Sequence, residues 1–304
     1  MDDRVKVLRL MDHISGAYAP NTLRAYRADM EEFIGFCERE GSSALPAEPE
    51  TVARFLIQSS ETGIRSSTVR RKESSISAIH RLSYLRDPTK HPEVKIAIRK
   101  IERKIGTHFG QAYPIDEKLL RKLLSACGND LRGMRNRALL LLAYESLRRR
   151  SELVSLRIED LDPNSDGSAV ILLRKSKTDQ TSQGSWIGIS ATTHRAIRQW
   201  VKRAEIKNGP ILRSIKGNTI GGSLGCGQIN RILKSLARKA SLAENVVDRI
   251  SGHSTRVGRA QDLLKSGASL PQMMHAGGWS KPDTVMRYVA RTRPTLPNTL
   301  SIDI

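Results

Sequence analysis

The segment 137–147, RALLLLAYESL, restricts the fold more than any other stretch of the chain. A helix over Leu131–Ser146 is apolar nearly all round, so other elements must cover every side of it. A membrane is excluded as that cover, because no apolar run in the chain approaches the roughly 18 residues of a span. The helix is therefore expected to be the central core of a globular domain. Its end runs into three arginines, Arg148, Arg149 and Arg150. Ser151-Glu152 and the apolar pair Leu153 and Leu156 then read as a new helix, so these cations stand at the edge of the core.

A second cluster lies near the C-terminus, in GHSTRVGRAQDLLKSGASLPQMMHAGGWSKPDTVMRY, residues 252–288. His253 and Arg256 are three apart and share one face of a helical turn. A guanidinium offers paired donors to phosphate oxygens, and an imidazole exchanges a proton near neutral pH. Trp279 follows Gly277-Gly278, a turn signal. Ser280 and Asp283 read as a capping box, with Pro282 in the first helical turn. That helix carries Tyr288, whose hydroxyl could attack phosphorus and hold it covalently. Each residue alone is commonplace in a basic chain; their joint presence with the arginine run is not.

The remaining chain supplies a frame of two domains. Residues 1–20 are expected to be an arm. Asn21 or Thr22 caps a helix from Leu23, with Leu23, Tyr26, Met30, Phe33, Ile34 and Cys37 as its buried stripe. Further helices are expected near residues 50–59, at 68–84 behind a Ser66 or Ser67 cap, and at 94–105. Arg65, Arg70, Arg71 and Lys72 crowd one helix start, and Arg99 and Arg103 line another polar face. IGTHFGQAYP, residues 105–114, reads as connecting chain. The boundaries are 1–107 for a helical domain, 108–114 for a linker and 115–304 for a second domain. In the second, Ala169–Leu173 and Ser185–Ile189 form a hairpin with Lys177 at its mouth. Helices follow near 192–205, 228–240, 256–265 and 270–275, and GNTIGGSLGCG reads as a flexible loop. The fold class is mainly α, with two domains and a small β-hairpin sheet in the second.

Charge points to the partner. Lys and Arg number 51 against 31 Asp and Glu, a net +20 spread along the chain. Such a surface attracts a polyanion, and nucleic acid is the usual one. Three separated cysteines, Cys37, Cys127 and Cys226, make neither a metal pattern nor an even disulfide framework. The N-terminal MDDRVKVLRL lacks a signal-peptide core. Reduced thiols, a cytoplasmic location and no membrane are expected.

The order of these motifs resembles the tyrosine recombinase (phage integrase) family: RRRSEL, KSKT, SGHSTRVG and HAGGWSKPDTVMRY, with AEPETV similar to its counterpart in the first domain. The resemblance covers nearly the whole chain. It implies a core-binding domain followed by a catalytic domain, and carries roles over residue by residue. Arg149 matches the first arginine, because Glu152 stands three positions on; Arg148 and Arg150 are the lesser candidates. Lys177 matches the hairpin lysine, His253 and Arg256 the His–Arg pair, and Tyr288 the nucleophile. Trp279 stands where many relatives have a second histidine. Glu152 would orient Arg149 or His253. Arg65, Arg70, Arg71, Lys72, Arg99 and Arg103 would contact DNA.

The implied reaction is site-specific strand exchange without metal, cofactor or ATP. The implied partners are double-stranded DNA with inverted half-sites and further copies of the chain, two per site and four in the synapse. Pro294 and Pro297 disfavour the long C-terminal docking helix of similar members. A type IB topoisomerase and a non-catalytic DNA binder on the same scaffold are the alternatives.

Overall fold

The computed structural model describes residues 2–107, 110–175, 184–290 and 292. The chain divides into two compact units, Met1–Gly110 and Gln111–Ile304.

The first unit is helical: α1 (Asp3–His13), α2 (Pro20–Arg39), α3 (Pro49–Glu61), α4 (Ser66–Leu82) and α5 (Pro92–Ile105). Its core joins Met30, Phe33 and Ile34 of α2, Val52 and Leu56 of α3, Ile76 and Ile79 of α4, and Val94 and Ile98 of α5. The expected arm is a correction. Residues 3–13 are helical because Val7 and Met11, four apart, bury against this core, and Asp2 caps the first turn. The expected cap of α2 also moves. Pro20 takes the first helical position behind Ala19, a place where its missing N–H costs nothing.

In the second unit α6 (Glu117–Ser125) precedes α7 (Leu131–Ser146), and α8 (Arg150–Ser155) follows. Helix α7 is central, as its composition dictates: Ala138, Leu139, Leu140 and Leu142 are wholly buried. Against this core lies an antiparallel sheet of β1 (Leu161–Pro163), β2 (Ala169–Leu173) and β3 (Ser185–Ile189), in that order. Ala169 pairs with Ile189 and Leu173 with Ser185, so Ala169, Ile171, Leu173, Ile187 and Ile189 face inward.

Next come α9 (Ala191–Arg203), β4 (Arg213–Lys216), β5 (Thr219–Ser223), α10 (Cys226–Lys239) and α11 (Glu244–Arg249). The β4–β5 hairpin corrects the expected glycine-rich loop. Lys216 pairs with Thr219 around Gly217-Asn218, and Gly217 takes φ +59°. A two-residue Gly-Asn turn between short runs is a hairpin signal. Ile215 and Ile220 pack toward the core and hold the ribbon in place.

The last elements among the described residues are α12 (Ser254–Lys265), α13 (Leu270–Gly277) and α14 (Pro282–Val289). The Ser280–Asp283 box does not form: Lys281 is the N-cap of α14, without a side-chain bond. Among the described residues no helix is long and apolar enough to cross a membrane.

Candidate active site

The site is assembled where the buried helix α7 stops. Leu147 turns the chain with φ 53°, an uncommon value for a branched side chain. Its carbonyl accepts from Arg256 Nη1. Arg149 is then the N-cap of α8, and Glu152 closes the turn from inside. The Glu152 carboxylate accepts from the Arg149 backbone N–H and from Arg149 Nη1, both at 2.9 Å. Burial works to raise the Glu152 pKa. The two bonds from Arg149, with the Arg256 charge nearby, outweigh it and hold the carboxyl below its usual range. A buried, ionised Glu152 thus fixes the direction of Arg149.

Helix α12 brings in the second arginine. It can lie close to the chain at Ile115 because residue 258 is glycine: a Cβ there would sit 1.9 Å from the Ile115 carbonyl oxygen. Arg256 is entirely shielded from solvent. Its guanidinium carbon lies 5.1 Å from the Trp279 ring centre and 5.6 Å from that of Tyr288. The two rings are 5.2 Å apart and tilted by 32°. Burial lowers the Arg256 pKa, partly offset by the Tyr288 phenol.

His253 immediately precedes α12 and reaches the surface. The protein packed around its ring disfavours the charged form. Arg256, Arg150 and Arg149 repel it further, so its pKa falls below the ordinary value. A neutral imidazole at pH 7 is one that can accept a proton.

Among the described residues, four buried N–H groups here have no acceptor: Arg256 Nε and Nη2, Trp279 Nε1 and Arg148 Nε. Buried donors are nearly always satisfied, so a cluster of orphans marks a place for an acceptor that arrives from outside. Trp279 is held between α13 and α14, and its indole and the Tyr288 ring pack with Met273 and Val285. Tyr288 itself is half-buried on α14, and its own carbonyl accepts from Gln111 Nε2 at 2.9 Å.

The structure therefore brings Arg149, Glu152, His253, Arg256, Trp279 and Tyr288 to one place. Lys177 lies outside the described residues, as do Pro294 and Pro297. Two other tyrosines of the second unit are engaged elsewhere. Tyr144 is buried and donates to Asp262 Oδ2 at 2.7 Å, and burial with that carboxylate raises its pKa. Tyr113 stacks under Arg249.

The sequence ranks Arg148 behind Arg149 as the first arginine and gives Gln111 no place in the site. The Arg148 guanidinium is buried beneath the α13–α14 turn, 3.4 Å from the Ala276 carbonyl. Its position inside a run of three arginines hides it, since only the backbone turn at Leu147 decides which of the three points inward.

In the first unit the expected DNA contacts divide. Lys72 is a correction: it is 5% exposed, bonded to Glu32 and Ser59 and set over the Phe55 ring. Arg70 is held bidentately by Glu102 at 2.8 and 2.9 Å, and Arg71 by Asp29 at 2.7 Å. Arg65, Arg99 and Arg103 are exposed and form no ion pair among the described residues.

Residues 114–293 match the family model described as "Phage integrase family", and residues 11–86 that described as "Phage integrase, N-terminal SAM-like domain". The "Integrase/recombinase xerD homolog" of Selenomonas ruminantium is 29% identical over 294 residues, covering 93% of this chain and 85% of its own. "Recombinase cre" of Escherichia phage P1 is 24% identical over 290 residues, covering 90% and 84%. Among solved structures, the Tn1549 transposon integrase in complex with transposon right end DNA has a TM-score of 0.69 at 15% identity, covering 97% of this chain and 96% of that one. XerH recombinase bound to a palindromic difH substrate also has a TM-score of 0.69, at 16% identity, covering 89% and 76%.

Proposed function

Since the chain belongs to the phage integrase family and is a tyrosine recombinase, we propose that it cuts and rejoins DNA at specific sites through a 3′-phosphotyrosine on Tyr288. The observation that carries this reading is the set of orphaned donors on Arg256 and Trp279 beside the Tyr288 ring. A phosphate has the oxygens those donors lack.

In the proposed step the Tyr288 oxygen attacks phosphorus and its proton passes to His253. The bond from phosphorus to the 5′-oxygen breaks, and Lys177 protonates that oxygen. Arg149, held by Glu152, and Arg256 neutralise the charge on the non-bridging oxygens. Trp279 donates its indole N–H to one of them. Attack by a 5′-hydroxyl on the phosphotyrosine reverses these events and reseals a strand, so no external energy source is consumed. Residues 1–107 would bind DNA and 115–304 would catalyse, with 108–114 as the linker. Two protomers would occupy an inverted repeat, since protein symmetry is mirrored in the DNA, and four would form the synapse. The work would be done in the cytoplasm, on DNA.

The test starts from DNA flanking the chain's own gene. Recombinant junctions, read by sequencing, define the duplex. On that duplex the native chain forms an adduct that survives denaturing electrophoresis, and Tyr288→Phe binds but forms none. An adduct in Tyr288→Phe moves the nucleophile elsewhere. Adducts without exchanged junctions indicate a topoisomerase, and binding without adducts a non-catalytic protein.

A further inference from the structure

The chain enters the second unit as an extended strap, and alternate residues of that strap bond to the end of α11 and to α12. The Tyr113 N–H donates to the Arg249 carbonyl and the Ile115 N–H to the Ser254 carbonyl, each at 2.9 Å. The Glu117 N–H donates to Asp262 Oδ2 at 2.8 Å. Ile115 is wholly buried, and its carbonyl is the group against which Gly258 packs. The strap is therefore locked to α12, which carries Arg256 and follows His253.

Its first residue reaches the other half of the site. Gln111 Nε2 donates to the Arg287 carbonyl at 3.1 Å and to the Tyr288 carbonyl at 2.9 Å. These are among the last carbonyls of α14, which have no partner within their own helix. Gln261 of α12 reaches the same Tyr288 carbonyl at 3.4 Å. α14 is eight residues long. So short a helix does not hold its own end rigid.

We propose that Gln111 is a positioning residue: its amide fixes the C-terminal turn of α14 and so sets where the Tyr288 hydroxyl stands relative to Arg256. This rests on Tyr288 being the nucleophile. Phosphoryl transfer needs the attacking oxygen in line with the bond that breaks, and a displacement of about 1 Å can cost ~10²-fold in rate. The amide is chemically suited to the task. Its one NH₂ group supplies two hydrogens, and two carbonyls receive them.

The test uses full-length Gln111→Glu and Gln111→Met. Glutamate places a carboxylate against two carbonyl oxygens. On protonation it regains one donor, near its ordinary pKa of about 4.3 or above it beside those oxygens. Methionine has similar length and no donor at any pH. At pH 7.5 both variants should bind the mapped duplex as the native chain does. Both should form the covalent adduct at least about tenfold more slowly in single turnover, as misplacement of the nucleophile requires. Amide hydrogen exchange over 282–290, without DNA, should be faster in both.

Relative to the native chain at each pH, Gln111→Glu should recover as pH falls toward 5, and Gln111→Met should not. Native exchange and native adduct rates in both variants would overturn the proposal. So would equal deficits at all pH values, which indicate a packing defect rather than a lost donor. If Tyr288→Phe retains the adduct, the nucleophile reading fails separately, and the exchange measurement still decides whether Gln111 holds α14.

Discussion

At the scale of single residues, the site is a set of charges that the fold has left unbalanced on one side. Arg149 is bonded to Glu152, whereas Arg256 forms no ion pair among the described residues and rests on the Leu147 carbonyl, two aromatic faces and the Tyr288 phenol. Each Glu152 oxygen accepts from Arg149, and Arg256 acts on that carboxylate only through its charge. The excess of cations acts on His253. Arg256, Arg150 and Arg149 add to the effect of its packing and depress its pKa, so the neutral form persists to lower pH than in a free imidazole. Removing a repelling cation must raise that pKa. Arg150→Ala is therefore expected to move the His253 titration upward, read from its ring resonances by NMR in the DNA-free protein. An unchanged titration in Arg150→Ala would show that Arg150 adds nothing to the effect of packing and of the other two arginines. The sign for stability follows: the unfolded chain binds the proton more readily, so this residue's contribution is lost as pH falls through the ordinary histidine range.

At the scale of elements, the close approach of α12 to the strap has a single chemical condition, the missing Cβ of Gly258. A methyl at 1.9 Å from a backbone oxygen forces the helix away from Ile115. Overpacking of this kind costs about 1–3 kcal/mol. Gly258→Ala is expected to lower the Tm of the second unit by several degrees, at about 2–4 °C per kcal/mol. Calorimetry that finds the native Tm would mean that the strap yields freely.

The elements also show what the sequence makes legible. α7 was readable to the residue because nothing but full burial suits RALLLLAYESL, and β2 and β3 because alternation and length agreed. The β4–β5 ribbon was obscured by five glycines in GNTIGGSLGCG, which suppress the apolar pattern although Gly-Asn marks its turn. α1 was obscured by its charges, since Val7 and Met11 are few beside the polar residues around them. The motif residues were legible by order and spacing. Which of Arg148, Arg149 and Arg150 turns inward was not, because that depends on the left-handed turn at Leu147. Nor was Gln111, whose partners are 176 and 177 residues away.

At the scale of the whole molecule, a net charge of +20 overstates the cations available to DNA. In the first unit much of the basic sequence is already matched: Arg70 by Glu73 and Glu102, Arg71 by Asp29, Lys72 by Glu32. These pairs organise α4 against α2 and α5. Arg65, Arg99 and Arg103 have no such carboxylate among the described residues, and α5 also exposes Lys100 and Lys104. A cation that neutralises a phosphate releases a counterion, and only an unmatched cation does so without first breaking a pair. Salt dependence can therefore separate the two groups. Fluorescence anisotropy of the duplex from 50 to 200 mM salt should give a steep fall in affinity, and the slope of log Kd against log salt is the quantity to compare. Arg99→Ala with Arg103→Ala should reduce that slope by about 2, one unit for each lost phosphate contact. Lys72→Met keeps the buried stem over Phe55, removes only a matched charge, and should leave the slope unchanged. An equal loss of slope from Lys72→Met would mean that the Glu32 pair opens on binding. An unchanged slope in the double variant would remove α5 from the DNA-binding surface.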